Sequence, residues 1–139
     1  MRRLIFILCS CLLALPVRAE LVLVANPHSA VERLSREEVI NIFLGRYRLL
    51  PSGIAAEPLD LPYESEFRER FYRLLVNKNL AEINAYWSRL QFSGKTRPPQ
   101  VVSDVREALS QVAAHPGKLA YVERAQLDGR VRVVYEIGK

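Results

Sequence analysis

The chain has 139 residues, half of them hydrophobic and a quarter charged, a length that fits one domain around one core. Its formal charge is +5, but Arg2, Arg3 and Arg18 lie in an N-terminal segment that reads as removable. Without them 17 basic residues face 15 acidic ones, a net +2 that is too little to argue for nucleic acid. The two cysteines, Cys9 and Cys11, lie in the same segment, so the remaining chain has neither disulfides nor cysteine metal ligands.

Arg2 and Arg3 open the chain, Leu4 to Leu15 is apolar apart from Ser10, and Val17-Arg18-Ala19 ends the run. A positive start, a short apolar stretch and an A-x-A-like end make a secretory leader, with cleavage expected after Ala19. The stretch is short for a membrane span, which needs roughly 20 residues. Cleavage leaves one exported domain, residues 20–139.

Glu20 to Ala25 (ELVLVA) reads as a buried strand, closed by a turn at Asn26-Pro27-His28-Ser29. Ser35 and Glu38 form a capping box that opens a helix with Val39, Ile40, Phe43 and Leu44 on its apolar face. Gly45 stops it. Ala56 to Leu61 predicts a strand in which Pro58 argues for an edge position or an irregular start. Ser65 is the expected N-cap of a second helix, with Phe67, Phe71, Leu74 and Leu75 buried and Arg68, Arg70 and Arg73 facing elsewhere.

Leu80, Ile83, Trp87 and Leu90 predict a third helix from about Leu80 to Leu90. Phe92 to Gln100 follows as a polar Gly- and Pro-rich loop. Ser103 is expected to open a fourth helix carrying Val105, Leu109, Val112 and Ala113, which His115-Pro116-Gly117 ends. Leu119 to Val122 is a strand. Asp128-Gly129 turns into a last strand over Val131 to Ile137. Strands alternating with helices predict an α/β or α+β sheet with helices packed against it.

Catalytic signals are sparse. His28 and His115 are the only histidines, no His/Asp/Glu cluster has metal-ligand spacing, and no G-x-S-x-G elbow frames a serine. Gly94-Lys95-Thr96 lacks the earlier glycine and the following helix of a phosphate-binding loop, so no nucleotide and no cofactor is expected. Trp87 belongs to an apolar stripe, whereas Tyr63 and Tyr72 are candidates to line a cleft.

Helix starts offer unpaired N–H groups and partial positive charge to anions. Ser29, Ser65 and Ser103 are therefore the candidate hydroxyl donors, each with an alternative as an ordinary cap. Lys95 and Arg97 are candidate supporting charges.

Ile42-Phe43-Leu44-Gly45, Phe92-Ser93-Gly94-Lys95 with Pro98-Pro99, and Pro116-Gly117-Lys118-Leu119-Ala120-Tyr121-Val122 occur in an order and spacing with a familiar counterpart. The chain resembles the small, single-domain relatives of the periplasmic phosphate-binding proteins of ABC transporters, over nearly all of residues 20–137. The resemblance implies a periplasmic-binding-protein-like single lobe, a sheet flanked by about four helices, and a periplasmic location. It implies noncatalytic binding of phosphate or a similar oxyanion, with an ABC transporter permease or a membrane sensor as partner. The family's Ser-Gly-Thr at a helix start is absent: Glu64, Ser65 and Glu66 stand in that region. A single lobe also cannot close around its ligand unless a second copy or another protein covers the site. The alternative is an interaction module that has kept the fold and lost tight anion binding.

Overall fold

The computed structural model describes residues 20–94 and 96–138. The expected leader, its cleavage point after Ala19 and Lys95 lie outside the described residues. Strands are β1 (Leu21–Ala25), β2 (Glu57–Asp60), β3 (Gln100–Val101), β4 (Lys118–Glu123) and β5 (Arg132–Glu136). Helices are α1 (Arg36–Phe43), α2 (Glu66–Val76), α3 (Leu80–Ser93) and α4 (Val105–Ala114). Short 3-10 turns occupy Pro27–Ser29 and Arg124–Gln126.

The five strands form one mixed sheet in the order β3-β2-β4-β1-β5. β1 runs antiparallel to both β4 and β5, while β2 runs parallel to β4 and β3. Every residue of β1 is buried, as in a strand covered on both faces. Leu23 and Tyr121 are paired across β1 and β4 and so share a face of the sheet. There Phe71 of α2 stacks on Tyr121 with centroids 4.0 Å apart, and Phe43 of α1 meets Phe71 edge-on at 4.8 Å. Such pairs add to the burial of two large apolar bodies. α4 packs on β4 and β1.

The local signals place the helices well. Ser35 Oγ accepts the Glu38 N–H, and Glu38 accepts the Ser35 N–H, completing the box at α1. Gly45 follows the end of α1 at φ +75°, where a Cβ would meet Thr96 and Trp87. α3 runs one turn further than its apolar stripe predicts and ends at Gly94 in the left-handed conformation.

Four expectations need correction. β2 is not an edge strand, since β3 and β4 flank it. Pro58 faces β4 at Leu119, whereas β3 pairs only with Leu59 and Asp60, so the missing N–H falls where β3 has not begun. Gln100, the last residue of the expected loop, instead opens β3. On α2, Leu74 is exposed, while Tyr72 and Arg68 are buried. The N-cap of α4 is Asp104, not Ser103: the Asp104 carboxylate accepts the Glu107 N–H at 2.8 Å.

Candidate functional site

The parallel strands β2, β3 and β4 point their C-terminal ends the same way, and a cleft of about 540 Å³ opens beyond them. Such crevices are where α/β sheets usually bind ligands. Leu61 and Pro62 enter from the end of β2, Ser103 from beyond β3 and Gln126 from beyond β4. The starts of α2 and α4 border it through Glu64, Ser65 and Phe67 on one side and Asp104, Val105 and Arg106 on the other. Two of the three serines singled out from the sequence, Ser65 and Ser103, are thus brought together.

Their chemical states differ. Ser65 is the N-cap of α2, but its side chain makes no capping hydrogen bond. The first-turn amides of an eleven-residue helix remain near it, with Glu64 and Glu66 on either side. Ser103 is committed. Its N–H and its hydroxyl both donate to Glu107 Oε2, each at 2.6 Å. These bonds, the hydroxyl first, hold the Glu107 carboxyl below its ordinary range. The start of α4 therefore already holds two carboxylates of its own chain, Asp104 and Glu107.

Ser29 lies elsewhere, fully buried at the end of its 3-10 turn, and its Oγ accepts the Val31 N–H at 3.3 Å. The cap of that turn is Asn26, whose Oδ1 accepts the His28 N–H. Asn26 Nδ2 donates to the carbonyls of Val112 and Ala113 and ties β1 to the end of α4. Arg97 is exposed on the loop before β3 and does not line the cleft. His28 and His115 are exposed, and among the described residues no group of His, Cys, Asp or Glu could hold a metal ion.

One residue behind the cleft-lining Leu61 lies a polar cluster that sequence reasoning missed. Asp60 is buried at the end of β2. Its Oδ1 accepts the Leu61 N–H at 3.0 Å and the Tyr121 hydroxyl. Its Oδ2 accepts Arg68 Nε at 3.2 Å and the Tyr72 hydroxyl at 2.7 Å. Burial, and then the negative charge of Asp60, push both tyrosines well above the ordinary phenol range. Both therefore stay protonated and act as donors.

The Arg68 guanidinium lies over the Tyr63 ring at 5.3 Å and the Tyr72 ring at 5.4 Å. Its Nη2 reaches Asn84 at 3.4 Å, and its buried Nη1 has no hydrogen-bond partner among the described residues. Of the two tyrosines considered for a cleft, Tyr72 belongs to this interior cluster. Tyr63 is exposed and accepts a hydrogen bond from Asn84 Nδ2.

No protein-family model and no curated protein sequence matches the chain. Solved structures do. An ABC-type phosphate transport receptor from Vibrio cholerae aligns at TM-score 0.67 and 15% identity, over 84% of this chain and 45% of that one. A putative phosphate ABC transporter substrate-binding protein from Clostridium perfringens, solved with bound phosphate, aligns at TM-score 0.66 and 13% identity, over 84% and 44%. PstS from Borrelia burgdorferi aligns at TM-score 0.65 and 13% identity, over 84% and 47%. The chain therefore has the α/β fold of a single periplasmic-binding-protein-like lobe. It spans less than half the length of these structures.

Proposed function

We propose that this chain is a noncatalytic, extracytoplasmic binding lobe whose cleft has lost the capacity to trap an oxyanion and serves an interaction with another protein. The observation that carries this reading is the state of the α4 start: Glu107 takes both donors of Ser103, and Asp104 takes the Glu107 N–H. Carboxylates of the chain occupy the places that an anion would need. At α2, Glu64 and Glu66 would repel a phosphate approaching Ser65. Arg106 is the one basic residue in the lining. An ABC transporter permease or the outer domain of a membrane sensor is the partner class that fits the related receptors.

A second reading, capture of phosphate or a similar oxyanion for ABC-type uptake, is favoured by one specific feature. The Ser65 hydroxyl makes no cap bond at the mouth of the cleft.

Calorimetry with phosphate, and with sulfate as control, separates the two. The expected outcome is no saturable heat at millimolar phosphate from protein verified as folded. Saturable phosphate binding that weakens in Ser65→Ala would replace the interaction reading with the uptake reading.

A further inference from the structure

A second groove, of about 470 Å³, lies between the end of α1 and the outer face of α3. Leu44, Ile83 and Tyr86 contribute its apolar part, and the Tyr86 hydroxyl donates to the Leu44 carbonyl at 2.7 Å. Arg46, Lys78 and Arg89 are its basic residues, against a single acid, Glu82. Lys78 is paired with Glu82 at 3.4 Å, an exposed contact of little strength. Among the described residues the Arg46 guanidinium hydrogen-bonds only to the neutral amide oxygen of Asn41, at 3.3 Å. Among the described residues Arg89 has no hydrogen bond or ion pair.

Phe92 extends this face. It stands four residues after Ser88 and three after Arg89, both of which line the groove, so it continues the same stripe of α3. It is 96% exposed, the most exposed large apolar side chain among the described residues.

We propose that this groove and Phe92 form a docking surface for anionic phospholipid. Guanidinium groups without carboxylate partners match the lipid phosphate in charge and hydrogen-bond geometry. A protruding phenyl beside them suits the boundary between headgroups and acyl chains. A second copy of the chain is a poor occupant, because a two-fold contact would bring the basic rims of both copies together. An acidic protein would satisfy the arginines but would also need a preformed pocket for Phe92, whereas a bilayer receives it without one. With so few contacts the attachment is reversible and salt-sensitive. This proposal is independent of what the first cleft binds.

The test is co-sedimentation of the full chain with phosphatidylcholine vesicles, with and without phosphatidylglycerol. Residues 1–19 are common to all variants, so differences between variants report on the groove. Arg46→Gln with Arg89→Gln is expected to lower phosphatidylglycerol-dependent binding by about tenfold or more. Arg46→Lys with Arg89→Lys retains binding, which separates lost charge from lost folding. Phe92→Ser weakens binding without changing its salt dependence. Arg33→Gln with Arg132→Gln removes the same charge from other exposed sites and leaves binding within about twofold. An equal loss in both glutamine pairs, or no preference of the wild-type chain for phosphatidylglycerol, overturns the proposal.

Discussion

Asp60 shows how one buried carboxylate organises its surroundings. Four donors converge on it, from α2, from β4 and from Leu61 just after β2, and only one of them, the Arg68 guanidinium, is charged. Removing the carboxylate strands a buried guanidinium and two buried hydroxyls, and breaking a buried pair costs about 3–5 kcal/mol. Asp60→Ala is therefore expected to lose stability on that scale in urea unfolding. A loss below about 1 kcal/mol would mean that water screens the pair as it does at a surface. None of this was legible in the sequence. An arginine in an Arg-rich helix reads as surface, and what buries Arg68 is an aspartate on a different element, eight positions earlier.

At the scale of elements, legibility follows the range of the signal. The capping box of α1 and the apolar stripe of α3 are local patterns, and both helices formed where those patterns lie. At α4, Ser103 and Asp104 are adjacent and both are good caps; the backbone decides, with Asp104 as cap and Ser103 held outside by Glu107. β3 has two residues after Pro98-Pro99 and carries no period of its own; only the exposed edge of β2 makes it a strand. Of the candidate residues, Ser65 and Ser103 reach one cleft because Ser65 caps α2 and Ser103 stands one residue before the cap of α4, but the sequence did not anticipate that Glu107 takes up Ser103.

The Glu107 contact has a defined pH dependence. The Ser103 bonds hold the carboxyl below the ordinary glutamate value of 4.5 in the folded chain. Its contribution is therefore present above that value and is lost as pH falls through the depressed folded value. The Ser103 amide resonance is expected to move with a midpoint below 4.5 in an NMR titration. A midpoint at or above 4.5 would show that the contact is not formed in solution.

On the scale of the whole molecule, the sheet is closed by elements from opposite ends of the chain. β1 is paired on one side by β4 and on the other by β5. Val134 and Ile137 belong to the core, and the Val134 carbonyl accepts the Leu34 N–H at 2.9 Å. A chain ending at Gly129 keeps β4 but loses β5 and its core contacts, and leaves β1 as an open apolar edge. It is expected to show no cooperative urea transition by circular dichroism. A sharp transition of native amplitude would mean that β5 is dispensable.

The same pairing sets when folding can finish. β1 is synthesised before every strand it pairs with, and its neighbours come last. Contacts of such long sequence separation form slowly. A ribosome still making α4 thus holds a chain in which β1 has no partner. For export of the kind that the N-terminal sequence predicts, this delay is useful: β1 cannot complete its pairing until β4 and β5 have been made.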